Sequence, residues 1–320
     1  MMTRSKFPQA MVAIKNNLNI SYFQWEELEG KDYEYRNFVQ DKPTDDAYTF
    51  ATEWAGLAGA VLTPENQVTQ FTDPVPGGTA IATVLEYRTG TEVSGRMADD
   101  DKVGIVKALP AMHGRAHKFT REQVVWNTIC NNAFNAVTAA TCDGIAIYGN
   151  HPLLGGAAAT ALLPLPSTTY NTAGTYPNFF QTPLAPSVTA IQKMMVLMHR
   201  QPDGMGIPIK SMVNTIIHPA EQLTTWGTIL ASGYDPNSGN NAVNPITQFN
   251  LKLFEGTYLT SATNWWCFGD KAKMEMYCNI REEMTDEYFD EPKVRGVAIQ
   301  MSQCFSVFVP FPYQKFGSQA

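Results

Sequence analysis

The five histidines are the side chains of this 320-residue sequence that are most able to build a reactive site. His113 and His117 stand four positions apart, which on a helix places both imidazoles on one face, where they could bind a metal ion together. Zinc sites use three or four protein ligands, and the sequence places no further ligand beside this pair. We therefore expect a surface or interface pair on a helix.

Two other histidines precede prolines, and each allows a functional and a purely structural interpretation. His151-Pro152 could form a catalytic loop, but a turn in which the imidazole reaches a backbone carbonyl is the interpretation that we favour. His218-Pro219 lies at the predicted end of a strand, where α/β enzymes bind their ligands. Proline also suits the first position of a helix, and we expect that simpler role for Pro219.

An acidic run and a tryptophan pair complete the candidates for chemistry. The run 99–101 consists of three aspartates before a predicted helix, and we expect it to cap that helix, since a metal site would need further carboxylates. Trp265 and Trp266 could stack on a sugar or a base, but their apolar strand favours packing in a core or an interface.

Sequence motifs for common enzyme classes are absent from the chain. It contains no G-x-x-x-x-G-K-[ST], no G-x-S-x-G and no H-E-x-x-H. The cysteines form no C-x-x-C pair, which predicts reduced, buried thiols; they are Cys130, Cys142, Cys267, Cys278 and Cys304. We therefore predict no catalytic residue, no metal, no cofactor and no enzymatic activity.

The composition points to extensive protein contacts. Charged residues make up 17% of the chain, whereas roughly 25% is usual in soluble domains. A surface short of charge suits large buried contacts, although a soluble enzyme of mild composition stays open as an alternative. The net charge of −7 argues against sequence-specific nucleic-acid binding, which needs clustered lysine and arginine. No secretory signal or membrane-spanning stretch is evident.

The elements that would position these residues begin with an arm and a hairpin. Thr44 or Asp45 could cap a helix that runs to residue 58, within an N-terminal arm over residues 1–60. Residues 73–78 (DPVPGG) form a breaker cluster, and residues 80–94 are typical of a long strand. We predict a protruding hairpin over residues 61–101, with the breaker cluster at its tip, which needs a neighbouring chain to cover it.

The remaining elements predict a long helix and an α/β module. Apolar residues recur at helical spacing over 115–137, which indicates a central helix, and a second helix is expected over 187–200. Strands at 211–217, 249–254 and 265–268 enclose a helix at 220–231 and a turn-rich loop at 233–240. Strands are expected at 275–282 and 297–309, the second with apolar residues at alternate positions.

The order of these elements, over roughly residues 60–315, resembles the major capsid proteins of tailed bacteriophages, especially the Mu-like major head subunit group. The segments that carry the resemblance are DGIAIYGNHP at 143–152, NTIIHPAE at 214–221, and the charged residues 281–283 before the alternating strand. The resemblance implies an α+β fold of the Hong Kong ninety-seven phage type. It also implies an icosahedral shell around double-stranded DNA as the function.

The same resemblance implies a division of the chain into five parts. Residues 1–60 would be the N-terminal arm, 61–101 the extended β-hairpin loop, and 102–200 a peripheral domain with a long spine helix. Residues 201–270 would form the axial α/β domain, and 271–320 would return to the peripheral sheet. The residues expected at contacts between subunits are Pro74, Pro76, Gly77, Gly78, Tyr87, Arg88, Tyr234, Asp235 and Asn237.

The partners implied are copies of the chain in pentamers and hexamers, a separate scaffolding protein, a portal and a cement protein. The subunit would assemble in the host cytoplasm, end in the virion and use no membrane. Some relatives weld their subunits through a lysine of the extended loop, but this sequence has no lysine between Lys42 and Lys102, which predicts a non-covalent shell. An encapsulin-like compartment shell and a soluble α/β enzyme remain the alternatives.

Overall fold

The computed structural model describes residues 32–57, 62–65, 67–68, 71, 73–101, 104–137, 141–155, 174–180, 182, 184–235, 243–291 and 296–319. Its strands are β1 Gln40–Pro43, β2 Tyr48–Trp54, β3 Pro76–Thr83, β4 Leu85–Ser94, β5 Asn150–Pro152, β6 Thr175–Pro177, β7 Thr215–His218, β8 Lys252–Glu255, β9 Trp265–Phe268, β10 Tyr277–Glu291, β11 Gly296–Phe308 and β12 Lys315–Ser318. Its helices are α1 Gly95–Asp99, α2 Ile105–Trp126, α3 Val188–His199 and α4 Leu223–Ala231, with 3-10 turns at Glu34–Asn37, Ala220–Gln222 and Pro245–Phe249.

A four-stranded sheet in the order β1-β10-β11-β4 contains the two longest described strands, β10 and β11. β11 lies between β10 and β4 and pairs antiparallel with both, whereas β1 runs parallel to β10. Alternate residues of β11, such as Val297, Ile299 and Met301, are buried, as expected for a strand with one face on a core. The predicted alternation is therefore confirmed over 297–301, but it fails beyond Met301, where Ser302, Gln303 and Ser306 are also buried.

Helix α2 packs on this sheet and continues as one π-helical turn at Asn127–Asn131. The Asp101 carboxylate accepts hydrogen bonds from the backbone N–H groups of Gly104 (2.8 Å), Ile105 (3.1 Å) and Val106 (2.8 Å), so the capping role predicted for the acidic run is confirmed. The helix begins ten residues before the predicted residue 115, because Pro110 and Gly114 are buried inside it and do not break it.

A second four-stranded sheet, β12-β9-β7-β8, forms the other core. Trp266 and Phe268 of β9 face the core around α2, whereas Trp265 and Cys267 face the core that α3 and α4 close. Each face of β9 is thus buried, which explains its unbroken apolar sequence. Ser187 caps α3 by accepting from the Ala190 N–H (3.1 Å), so the predicted start of this helix is confirmed. The strands and the helix of the predicted α/β module are also present, although β7 begins at Thr215 and not at residue 211.

Two further strands form a separate antiparallel ribbon, β2–β3. Here the predicted helix over residues 44–58 is wrong, because residues 48–54 are a strand whose exposed and covered side chains alternate. The breaker cluster also differs from its predicted position at a hairpin tip, since residues 76–78 belong to β3 and the described parts of the connection span 55–75. No described helix is long and apolar enough to cross a membrane.

Candidate functional site

The outer face of the β2–β3 ribbon, formed by Tyr48, Phe50, Trp54 and Ile81, is apolar and exposed. Phe50 lies opposite Ile81 in the strand register, and these side chains are 64% and 65% exposed, respectively. Trp54 is 61% exposed, and Tyr48 lies beside Phe50 with ring centroids 6.4 Å apart. Aromatic residues are enriched in the cores of protein interfaces, so this face is suited to contact another protein surface.

The connection between the two strands extends this exposed apolar character. Leu62 and Phe71 are each 92% exposed, and Leu57 and Val68 are also exposed. These residues make no cluster with the cores of the chain. The ribbon and its connection therefore present more apolar surface than the described chain covers by itself.

The inner face of the ribbon packs on the body of the molecule through small residues. A Cβ atom at Gly78 would lie 1.9 Å from the carbonyl oxygen of Cys142, and one at Gly77 would lie 2.7 Å from Leu154 Cδ1. The Cys142 thiol donates a hydrogen bond to the Ala51 carbonyl (3.2 Å). Gly77 and Gly78 are thus required for close approach, and not for the turn that the sequence suggested.

A buried carboxylate also joins the ribbon to the body. The Tyr313 hydroxyl donates a hydrogen bond to Glu53 Oε1 (2.7 Å). Burial raises the pKa of Glu53, and the nearby Asp143 raises it further, while the Tyr313 hydrogen bond and His151 act in the opposite direction. This hydrogen bond connects β2 of the ribbon to the C-terminal segment, which is far from it in sequence.

His151 pairs with Asp143 beside this bond. Its Nδ1 lies 2.7 Å from Asp143 Oδ2, and both side chains are buried. The imidazole therefore meets a carboxylate and not the backbone carbonyl that we expected. Burial by itself raises the pKa of Asp143, but the hydrogen bonds from His151 and Thr141 outweigh it and lower the pKa below its usual value.

In a catalytic triad, a nucleophile hydrogen-bonds a histidine that an aspartate orients. Cys142 precedes Asp143 in the chain, so its thiol is the candidate nucleophile to consider. Burial raises the pKa of Cys142 to about 11, which keeps its sulfur a protonated, weak nucleophile. The side chain of Cys142 is also buried under the ribbon. The described contacts of His151 and Asp143 include a hydrogen bond between them, one from Thr141 to Asp143, and packing of the imidazole on Tyr176.

The imidazoles of His113 and His117 hydrogen-bond to threonines of strand β4. Both rings hydrogen-bond the Thr89 hydroxyl, and His113 also reaches the Thr91 hydroxyl (2.9 Å). His117 is buried within the chain, which corrects the surface or interface position predicted for it. Burial lowers its pKa to about 4, so the ring is neutral. The described residues include no group of three or more histidine, cysteine or acidic side chains that could hold a metal ion.

The remaining histidine and tryptophan candidates are core residues. His218 is buried with its Nδ1 2.9 Å from the Pro219 carbonyl oxygen, and its ring stacks on Trp226. Proline at position 219 precedes the 3-10 turn that leads into α4, one residue before the helical position expected for it. Trp265 and Trp266 are fully buried on opposite faces of β9, which confirms the packing role predicted for them.

The predicted contact residues fall in three places. Pro74, Pro76, Gly77 and Gly78 lie at and before the start of β3, on the ribbon. Tyr87 of β4 stacks on Phe305 inside the chain, with centroids 4.7 Å apart, and exposed Arg88 pairs with Glu86. Tyr234 is exposed and forms an isolated β-bridge with Val243. Asp235 is half-buried, and Asn237 lies outside the described residues.

Two buried charged residues on α2 were missed by sequence reasoning. Arg121 is fully buried and donates hydrogen bonds to Gln303 Oε1 (3.1 Å) and Glu283 Oε2 (3.0 Å). Glu122 accepts from the backbone N–H of Glu34 (2.5 Å) and from the indole of Trp126 (3.1 Å). The sequence shows only that Arg121 and Glu122 stand among apolar residues of a helix. It does not show which distant residues they hydrogen-bond.

Comparison with known proteins identifies a family for most of the chain. A sequence model of the family described as "Phage capsid protein" matches residues 77–313. No curated protein sequence matches significantly.

Solved structures share the fold at low sequence identity. A chain from Microbacterium phage Oxtober96 is 11% identical, with a TM-score of 0.55 and 90% of each chain covered. The capsid of a native GTA particle is 10% identical, with the same TM-score and coverage. A virus-like particle from Pyrococcus furiosus is 7% identical, with a TM-score of 0.51 over 95% of this chain and 98% of that one.

Proposed function

The chain belongs to the phage capsid protein family, and from this premise we propose how its surfaces build a shell. It is a structural subunit of a bacteriophage capsid and a component of the virion. The family match favours this function over the encapsulin-like compartment shell. We propose that the shell is icosahedral, that it encloses double-stranded DNA and that the subunit performs no enzymatic reaction.

The observation that carries the assembly mechanism is the exposed apolar outer face of the ribbon. In our proposal the ribbon and its connection form the extended loop, and the outer face lies on a neighbouring subunit. Many such contacts act together, so each can be weak enough to be corrected during assembly. The extended loop then comprises β2, its connection and β3, which shifts its start from residue 61 towards residue 48.

Contacts around the local symmetry axis would complete the rings. The sheet β12-β9-β7-β8 with α3 and α4 is suited to be the axial domain, and α2 with the sheet β1-β10-β11-β4 to be the peripheral domain. Head-to-tail contacts close into rings when the rotation fits, here five- and six-membered. Tyr234, Asp235 and Asn237 would lie near the axis, and Tyr87 and Arg88 would contact the neighbouring subunit.

The proposed partners follow from the same scheme. A separate scaffolding protein, a portal and a cement protein would act with the subunit, which would assemble in the host cytoplasm without a membrane. The net charge of −7 supports a wall that leaves packaged DNA unbound, because phosphate binding needs clustered basic residues. Membership of the Mu-like group remains a prediction.

Negative-stain microscopy of the expressed, purified full chain tests this function. We expect closed or irregular shell-like assemblies built of many copies. A protein that remains a monomer or a small oligomer under every assembly condition would contradict the proposal. Uniform, correctly sized shells from the chain alone would support the shell function and argue against a separate scaffolding protein.

Electrophoresis of boiled, denatured particles tests the non-covalent nature of the shell. The absence of lysine between Lys42 and Lys102 leaves the extended loop without an amine for an isopeptide bond. We expect a single band of monomer size. A ladder of covalent multimers would show that another residue links the subunits.

A further inference from the structure

A row of polar side chains lies where helix α2 packs on the sheet β1-β10-β11-β4. His113, His117 and Arg121 stand four positions apart along α2, which places them on one face of the helix. His117 and Arg121 are 1% and 0% exposed, and His113 is half-buried. A helix usually buries an apolar stripe, so this part of the contact holds ionisable groups where apolar side chains are usual.

Hydrogen bonds to strand β4 connect the two imidazoles. The Thr89 hydroxyl lies 2.8 Å from His113 Nδ1 and 3.0 Å from His117 Nε2, and the Thr91 hydroxyl lies 2.9 Å from His113 Nε2. The Thr89 hydroxyl has one hydrogen, so it donates to one imidazole and accepts from the other, and neutral rings satisfy both bonds. If both rings are protonated, both donate to Thr89, and its hydrogen has no acceptor among these groups.

The charged groups around the two imidazoles come from α2 and from three strands. Arg121 is a fixed cation on α2, and its partner is Glu283 of β10 (3.0 Å). Asp286 of β10 also lies on the side of the sheet that faces α2. On β4, Glu86 and Glu92 alternate with the threonines and are exposed on the opposite face, and β11 has no acidic or basic residue. The tyrosines at this contact stay uncharged at neutral and acid pH; they are Tyr33, Tyr87 and Tyr288.

The closed contact holds both imidazoles in the neutral form. Burial lowers the pKa of His113, and it lowers the pKa of His117 from 6.5 to about 4. His113 and Arg121 lower the pKa of His117 further, whereas the Met301 backbone acts in the opposite direction. Between pH 6.5 and 4, an imidazole released to solvent binds a proton that the closed contact excludes, so a fall in pH favours the open contact.

We infer that this row of histidines makes the contact between α2 and β4 an acid-sensitive joint, which opens locally while both cores stay folded. Only the N-terminal part of α2 needs to move, because Val125 and Trp126 anchor its other end in a large core. The apolar contacts of the N-terminal part are two small clusters, one around Val106 and one around Met301. The joint lies within one subunit, so the inference goes beyond the proposed shell function and does not depend on it.

Hydrogen exchange of the purified full chain, followed by mass spectrometry at pH 7 and pH 5, tests the inference. A helix released from tertiary contacts frays in water, so its amides lose protection when the joint opens. After correction for the intrinsic pH dependence of exchange, we expect protection over residues 105–118 to fall at least about tenfold from pH 7 to pH 5. Helix α3 and strand β9 report on the second core and should keep their protection.

Matched variants assign the effect to the histidines. His113→Gln combined with His117→Gln removes the titration and keeps groups that donate and accept hydrogen bonds, so the difference between pH 7 and pH 5 should disappear. If this double variant does not fold, His117→Gln alone should reduce the difference. His199→Gln is the control, because His199 is exposed at the end of α3, and it should keep the wild-type difference. Circular dichroism at both pH values verifies that each variant is folded.

Three results would overturn the inference. Equal protection of residues 105–118 at both pH values in the wild type would show that the joint does not open. An equal loss of protection in α3 and β9 would show unfolding of the whole chain. A wild-type difference in the histidine variants would assign the acid sensitivity to carboxylates such as Asp101 and Glu283. Glu122 cannot mimic the effect, because its raised pKa favours the folded chain as the pH falls.

Discussion

Glu122 shows how a single buried carboxylate connects distant parts of this chain. It lies on α2 and accepts hydrogen bonds from the backbone N–H groups of Glu34 and Tyr35, at the start of the described chain. Burial raises its pKa to about 7, although these hydrogen bonds favour the charged form. The carboxylate therefore titrates near neutral pH while it holds the N-terminal segment against the helix.

This raised pKa predicts a specific pH dependence. Between pH 4.5 and 7 the folded chain keeps a proton on Glu122 that the unfolded chain releases, so the free energy of unfolding falls as pH rises. Glu122→Gln removes this titration. We expect the stability of the wild type relative to the variant to decrease across this window in urea denaturation. Exposed Glu221→Gln is the control, and a constant difference for Glu122→Gln would contradict the prediction.

Gly78 lies where the backbone of β3 closely approaches the backbone of residue 142, so a side chain at this position should destabilise the fold. A Cβ atom there would overlap the Cys142 carbonyl oxygen, which belongs to backbone and cannot rotate away. Gly78→Ala should lower the free energy of unfolding by about 2 kcal/mol. Gly233→Ala is the matched control, because a Cβ there meets nothing within 4 Å, and it should change stability by less than about 0.5 kcal/mol. Equal effects of the two variants in chemical denaturation would refute the role assigned to Gly78.

The elements show which parts of the fold were predictable. The alternation of Val297, Ile299 and Met301, the cap at Ser187 and the acidic cap of α2 are local patterns, and each predicted its element. The ribbon depends on pairing between β2 and β3, which are separated by 21 residues, 55–75. Residues 48–54 alternate at a period of two, but Ala51 within them, with Ala55 and Ala58 beyond, also matched a helical period, so sequence alone did not decide.

The contacts of the candidate site could be predicted less well than the elements of the fold, because they also join residues that are far apart in sequence. Gly77 and Gly78 were recognised as special, but the backbone that Gly78 approaches lies at residue 142, more than 60 positions away. Tyr87 stacks on Phe305, more than 200 positions away, and its expected contact with a neighbouring subunit stays a prediction. Contacts over such distances leave no periodic pattern in the sequence.

Phe50→Ser tests the ribbon as an element of assembly. Because Phe50 is on the exposed face, the change should alter stability by less than about 0.5 kcal/mol. It should nevertheless reduce shell formation severely, since it removes an aromatic anchor from the contact. Met112→Ser, at an exposed apolar position of α2, is the control. Normal shells from the Phe50 variant, seen by negative-stain microscopy, would contradict the role of the ribbon.

At the scale of the whole molecule, two cores share the second sheet, and the ribbon extends from them. Both faces of β9 are buried in cores that the described chain forms by itself, whereas the apolar outer face of the ribbon is exposed to solvent in the described chain. A low fraction of charged residues suits a subunit whose surface is largely in contact with its copies. In this account the folded subunit is completed by assembly.

Electron cryomicroscopy of assembled particles tests this account most directly. The map should place the ribbon over a neighbouring subunit, with Phe50, Trp54 and Ile81 buried in that contact. A closed shell in which these three side chains face solvent, or in which the ribbon folds back on its own subunit, would contradict the account.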